Sequence, residues 1–370
     1  MPRLMHIADL HLGCRQYGMQ EREEDFYLAL GKVSDIAIKE QVDFIVMSGD
    51  LFDSSKPTAR AVLELTNFVR RMKQDGIHVV GIEGNHDLTA DGYWLRVCDI
   101  WPLGCAPFTE SFKDIRVAGF DFVRSETLVT RLEEFADQAA ASGETWPVVA
   151  LHCGLAEMGA GFAPDLSMGQ IVRPLKAMGC RYVALGHIHI PMEQVEDGIA
   201  FVQPGSLEMK SVDEPRQKVA EIVTMDDAGN VVSMEQVPYL TRGVSFVNVE
   251  AENDLATLRD TASKPGQDGR PQLVVAYVSG ELRDGAARAT EAVKGTGCLF
   301  RAIPCSGAAD AGSADRYDRR KSMDLLKDSV AAFFDEASPQ YKMVLDIIST
   351  GNPRLVVERF MNGDSGNTAA

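Results

Sequence analysis

The sequence predicts an α/β protein, and three observations carry the prediction. Short apolar runs alternate with amphipathic segments of helical period through the first 240 residues. Most of these runs end on a glycine, an aspartate or a histidine, residues that turn a chain rather than extend a strand. The composition, 45% hydrophobic and 25% charged over 370 residues, is that of an ordinary globular chain of two or three domains.

The elements follow in order. Leu4–Ala8 is a short apolar run, and Glu24–Gln41 repeats Phe26, Leu30, Val33, Ile36 and Ala37 at helical spacing. Val42–Met47 reads as a buried strand, and Arg60–Gln74 as a helix through Val62, Leu65, Phe68, Val69 and Met72. Ile77–Ile82, Val148–Leu151 and Tyr182–Leu185 are further strand runs. Ile115–Phe122, Ile199–Val202 and a hairpin from Lys218–Met225 to Val231–Val237 are expected to form a second sheet. The pattern restarts near Val244. Strand runs Ser245–Val249, Leu273–Val278 and Leu299–Ile303 alternate with helical Asp254–Ala262 and Asp284–Lys294, so 244–305 reads as a small βαβαβ domain after a domain of 1–240. Small and polar residues mark 306–321 as a flexible linker. Beyond it, 322–361 reads as C-terminal helices with an apolar stripe of Leu325, Leu326, Val330, Phe333 and Phe334. The basic cluster Arg316, Arg319, Arg320 and Lys321 reads as a solvated linker end.

Charge narrows the function classes. The net charge of −17 is concentrated in residues 1–240, which carry 36 acidic against 21 basic side chains. That balance argues against DNA affinity from surface charge alone, because phosphate contacts are made mainly by Lys and Arg. It suits a cation site, whose ligands are carboxylates and imidazoles. The seven cysteines form no C-x-x-C pair and read as reduced thiols. A mean hydropathy of −0.10, no apolar run near the ~20 residues of a span, and no secretory h-region predict a cytoplasmic chain without a membrane partner.

The histidines sharpen the reading. Asp9-Leu10-His11 follows the first strand run, Gly49-Asp50-Leu51-Phe52-Asp53 the second and Gly84-Asn85-His86-Asp87 the third. His152 ends a fourth run, and Gly186-His187-Ile188-His189 follows a fifth. The carboxyl ends of strands in an α/β sheet meet at one crevice, so five runs deliver nitrogen and oxygen donors to one edge. Residues two apart in an extended chain share a face, which pairs Asp9 with His11 and His187 with His189. The donor count exceeds the need of one ion and suggests two, and Asp, His and Asn together suit Mn²⁺, Zn²⁺ or Fe²⁺ better than Mg²⁺ alone, because imidazole favours the transition metals. His6 and His78 lie within or at the start of strands and read as packed or hydrogen-bonded core residues. Cys153, beside His152, points oppositely on a strand and is discounted as a nucleophile.

This order of motifs resembles the calcineurin-like metallophosphoesterases. More narrowly, His6-Ile7-Ala8-Asp9-Leu10-His11-Leu12-Gly13, Gly49–Asp53, Ile82–Asp87 and Pro204-Gly205-Ser206-Leu207-Glu208 resemble the SbcD-like double-strand-break repair nucleases. The resemblance covers 1–240 specifically and the remainder more loosely. It implies a β-sandwich flanked by helices, an α/β capping domain that orients DNA, and C-terminal helices that dock on a coiled-coil ATPase of the SbcC type. It implies one metal at Asp9, His11, Asp50 and His189 and another at Asp50, Asn85, His152 and His187, with Asp50 bridging. His86 is then a non-ligand that stabilises the transition state or protonates the leaving oxygen, and Asp53 a catalytic helper that orients His86 by a hydrogen bond. The implied activity is Mn²⁺-dependent, double-strand exonuclease and single-strand endonuclease, in a homodimer. The alternative is a metallophosphoesterase acting on nucleotides or phosphoproteins.

Overall fold

The computed structural model describes residues 1–112, 115–158, 165–211, 214–266 and 268–305. The expected linker, its basic cluster and the C-terminal helices lie outside the described residues. Two six-stranded sheets stack face to face, each covered on its outer face by helices.

The first sheet runs in the order β12 (Val231–Tyr239), β11 (Lys218–Met225), β1 (Arg3–Ile7), β2 (Phe44–Ser48), β3 (His78–Ile82) and β4 (Trp101–Pro102). From β1 to β4 it is parallel, and β11 and β12 add antiparallel to β1. The second sheet runs β5 (Phe108–Phe112), β6 (Ile115–Phe120), β7 (Val148–His152), β8 (Tyr182–Gly186), β10 (Ile199–Gln203) and β9 (Met192–Glu196). Its centre, β6 through β10, is parallel.

Alternation along the strands builds three cores. Leu4, Phe44, Val46, Val80 and Ile82 meet Val117, Val148, Ala150, Ala184 and Val202 between the sheets. Met5, Ile7, Ile45, Met47 and Val79 turn the other way, against α1 (Gln20–Lys39) and α2 (Ala59–Gln74). Val149, Leu151, Val183 and Leu185 pack on α4 (Ser125–Ser142) and α5 (Met168–Ala177), after the short α3 (Tyr93–Val97). Burial on both faces is why these strands read as continuous apolar runs.

Several elements depart from expectation. Helix α1 begins at Gln20, a turn before its apolar stripe, because Glu21 and Glu23 favour the positive end of the helix dipole. Helices α4 and α5 were not anticipated. The buried stripe of α4 is half alanine, and α5 carries Pro174, so neither gives a strong periodic signal. The β11–β12 hairpin exists but joins the first sheet rather than the second. There it covers the open edge of β1, sending Ala220 and Ile222 to the α1 side and Val223 and Met225 between the sheets.

A third sheet, β13 (Val244–Val249), β14 (Leu273–Ser279) and β15 (Leu299–Cys305), packs with α6 (Asp254–Ala262) and α7 (Gly285–Ala292) around Val249, Leu258, Val274 and Ala276. Met1–Pro304 cluster as one compact unit. A buried ion-pair hub ties the third sheet in: Asp25 of α1 accepts from Arg242 at 2.7 and 2.9 Å, and from Arg22 and Arg270.

Candidate metal centre

Strands β1, β2 and β3 of one sheet and β7 and β8 of the other end at a common edge, and each hands its next residues to the site. The backbone there is bent to do so. Asp9, His11, Asp50 and His187 have φ of 52°, 43°, 50° and 101°, left-handed values that cost non-glycine residues roughly 1–3 kcal/mol each. The surroundings hold them: Asp9 N–H donates to the Gly49 carbonyl at 3.2 Å and His11 N–H to the Asp50 carbonyl at 2.9 Å. His187 N–H donates to the Asp9 carboxylate at 2.9 Å, and His86 N–H to Asp50 Oδ1 at 2.9 Å. Asp87 braces two loops at once by accepting from the N–H groups of Leu51, Phe52 and Gly84 at 2.6–3.1 Å. Two glycines permit the close approach. A Cβ at Gly84 would lie 2.1 Å from Asp50 Oδ1, and one at Gly186 would lie 1.9 Å from the Ser48 carbonyl.

All seven expected ligand residues meet. Donor atoms of Asp9, His11 and His189 lie within 4.8 Å of one another, as do those of Asp9, Asp50 and His152. Asn85 Oδ1 is 3.1 Å from His152 Nε2 and 3.0 Å from His187 Nδ1. Asp50 stands between the two sets, with Oδ2 3.7 Å from His11 Nε2 and 3.5 Å from His152 Nε2.

The proton positions argue that this donor set fits cations. His189 Nδ1 donates to Glu214 at 2.7 Å, which leaves Nε2 with its lone pair. That lone pair faces His11 Nε2 at 3.0 Å. His152 Nδ1 donates to the Ser48 carbonyl at 2.8 Å, which turns Nε2 toward the oxygens of Asp50 and Asn85. Acceptors converging on acceptors call for positive charge between them. A proton answers that demand where no cation does. Burial pulls His152 down, yet the carboxylates of Asp50 and Asp9 carry it up to about 9, so Nε2 holds a hydrogen that a bound cation would displace. Burial would raise Asp50, but the charges of His152, His11 and His86 hold it well below the ordinary range. Burial, aided by the Lys210 charge and opposed by Asp53, takes His11 down to about 3, and burial with the Asp165 charge takes Cys153 up to about 12, which leaves that thiol protonated.

The two expected helpers are arranged differently from expectation. His86 packs edge-on to His11, with ring centroids 4.8 Å apart, and its Nδ1 lies 3.1 Å from the backbone carbonyl of Asp53. Asp53 therefore meets His86 through its main chain. Its carboxylate is engaged instead by Lys210 Nζ at 2.8 Å, with His11 Nδ1 3.4 Å away, because a nearby ammonium outcompetes a ring already served by a carbonyl. Sequence reasoning missed Glu214, Lys210 and Ser48. Glu214 and Lys210 lie in a loop with no recurring spacing, and Ser48 acts through its carbonyl, which no side-chain pattern reports. A cavity of about 720 Å³ lined by Lys73, His78, Arg96 and Trp101 lies at the opposite, amino end of β3.

Comparison with known proteins places this geometry. The family model for calcineurin-like phosphoesterases matches residues 2–191. The DNA double-strand break repair protein Mre11 of Methanosarcina mazei is 30% identical over 260 residues, 68% of this chain and 40% of that protein. Its namesake from Saccharolobus solfataricus is 28% identical over 70% of each chain. That of Aeropyrum pernix is 29% identical over 58% of this chain and 55% of its own. The chain thus spans between two fifths and seven tenths of these relatives.

Proposed function

The chain belongs to the calcineurin-like phosphoesterase family, and on that premise we propose that it is a Mn²⁺-dependent DNA nuclease of the double-strand-break repair type. It would hydrolyse phosphodiesters as a double-strand exonuclease and a single-strand endonuclease. The observation that carries the reading is the convergence of seven nitrogen and oxygen donors from five strand ends of two sheets. The similarity to double-strand break repair proteins supports DNA as the substrate.

Asp9, His11, Asp50 and His189 would hold one cation, and Asp50, Asn85, His152 and His187 the other. Bound there, two cations supply Lewis acidity to the phosphoryl oxygens and lower the pKa of a water. The residues supply the rest. Asp9 and Asp50 offset the positive charge, and the glycine-bounded loops fix the donors in place. His86, with Nδ1–H donating to the Asp53 carbonyl, points Nε2 at the site, and with a proton on Nε2 it would stabilise charge on the phosphoryl group or pass that proton to the leaving oxygen. Asp53 supports catalysis through that carbonyl and, through its carboxylate, through His11.

Residues 244–305 would cap the crevice and orient DNA, 306–321 would be a tether, and 322–361 would dock on a coiled-coil ATPase of the SbcC type. Leu63 of α2 and Tyr93 and Val97 of α3, on helices joined by a Cys98–Val62 contact, expose large apolar surface that supports a homodimer. The setting would be the cytoplasm, at the nucleoid. The deciding experiment incubates the full chain with end-labelled duplex and circular single-stranded DNA in Mn²⁺, Mg²⁺ or chelator. Cleavage of both DNAs in Mn²⁺, abolished by chelator, is expected. Hydrolysis of nucleotides or phosphopeptides with both DNAs intact would establish the alternative and overturn the nuclease reading.

A further inference from the structure

His6 lies three residues before Asp9 and touches none of the proposed ligands' donor atoms, yet it is wholly buried between the sheets. Its side chain shares the inter-sheet face with Leu4, Phe44 and Val46, where an aliphatic residue would satisfy packing alone. Instead it makes three polar contacts. Nδ1 is 2.9 Å from the Tyr182 hydroxyl, and Nε2 is 3.1 Å from the Leu185 carbonyl and 3.0 Å from Ser48 Oγ.

These partners determine the proton. A carbonyl only accepts, so Nε2 carries the hydrogen and shares it between Leu185 O and Ser48 Oγ. Nδ1 is then a lone pair, and the Tyr182 hydroxyl donates to it. Burial takes the ring down to about 3, so this neutral tautomer persists across the physiological range.

The placement of the partners is the informative part. Ser48 is the last residue of β2, one glycine before Asp50, and its carbonyl accepts from His152 Nδ1. Leu185 and Tyr182 belong to β8, which delivers His187 and His189. His6 itself is on β1, which delivers Asp9 and His11. One imidazole therefore pins β1 and β2 of the first sheet to β8 of the second just behind the point where each releases its donors. Close-packed sheets tolerate little separation there, since a Cβ at Gly186 would already overlap the Ser48 carbonyl.

We propose that His6 is a positioning residue, a cross-sheet clamp that sets the spacing between the two metal half-sites. The inference rests on the two-metal reading above and extends it to a residue outside the ligand set. A buried polar network of this kind selects one arrangement of its strands, because any slip leaves a polar group unpaired.

The test titrates the metal-free full chain with Mn²⁺ by calorimetry and records the electron paramagnetic resonance spectrum of the loaded protein. His6→Phe keeps the ring and removes both nitrogens. His6→Gln keeps an N–H donor, and Tyr182→Phe deletes only the hydroxyl. Roughly tenfold weaker Mn²⁺ binding and loss of the exchange-coupled pair signal are expected in His6→Phe. A smaller change is expected in Tyr182→Phe, and partial recovery in His6→Gln. A purely structural role would lower the melting temperature and leave affinity and coupling at wild-type values, which overturns the proposal. If His6→Phe does not fold, Tyr182→Phe decides on the same criterion. A wild-type chain that binds no coupled pair overturns the two-metal reading as well.

Discussion

In one half of the site, the His189 ring donates to Glu214, and the His11 ring faces the Asp53 carboxylate and Lys210. In the other, His152 donates to the main-chain carbonyl of Ser48, and His187 meets the side-chain amide of Asn85. The first half is braced by charged side chains. Glu214 is itself anchored by Lys218 at 2.7 Å and Ser206 at 2.5 Å. The second rests mainly on backbone and amide groups, its nearest carboxylate, Asp165, standing 3.7 Å from His187 Nε2, beyond hydrogen-bonding reach. It is also the more open half, since the His187 side chain is 34% exposed and that of His11 fully buried. A carboxylate behind a histidine raises its basicity and fixes its tautomer, so the first half should bind its ion more tightly and be the half that a brace mutation can weaken.

Asp50→Ala should have the largest effect, because the residue belongs to both halves and loses the distinction between them. Metal content after dialysis against Mn²⁺ should fall well below two ions per chain, with cleavage at background. Full retention of both ions contradicts the bridging role. His86→Ser comes next. It should keep two ions and DNA binding while cleavage drops ~10²–10⁴-fold, the usual scale of an acid–base or charge-stabilising contribution. If metal is lost with activity, His86 is a ligand.

Glu214→Gln tests the asymmetry directly. One ion should bind roughly 10–100-fold more weakly and the other as before. Equal weakening of both would erase the contrast between the halves. The last effect lies outside either half and leaves the metals untouched. Glu221 on β11 is paired opposite His6, and burial, then the charges of Glu193 and Glu235, push its carboxyl up to about 7. A carboxyl raised above its unfolded value binds a proton more tightly when folded, so its contribution to stability falls as pH rises from about 4.5 to 7. Glu221→Gln should therefore gain roughly 2–3 kcal/mol on the wild type between pH 5 and pH 8 in urea melts, with metal binding unchanged. A pH-independent difference would show that Glu221 is ionised in the fold.

The donors were legible because each is a side chain placed at the end of an apolar run, and both signals survive in one dimension. Asp9, Asp50 and His187 could be marked without coordinates for that reason. Their braces were not legible. Ser48 acts by a carbonyl, which every residue has, and Glu214 reaches His189 across a loop whose path no periodicity encodes. The hairpin at 218–239 was visible as a hairpin, but which sheet it joins depends on which edge is left open, a property of the assembled strands. The helices α4 and α5 were lost to alanine and proline, whose apolar signal is weak even where their packing is complete.

The pairing of His11 with His189 spans 178 residues, and that separation governs when the site comes into being. Local helices and hairpins form early in folding, whereas contacts between distant segments wait for loop closure. During synthesis the first sheet can gather β1, β2 and β3 long before β8 has been made, and it then presents Asp9, His11 and Asp50 without their partners from the second sheet. A complete donor set therefore exists only after β8 has formed and the two sheets have met, so the site is a product of tertiary assembly and not of either sheet alone.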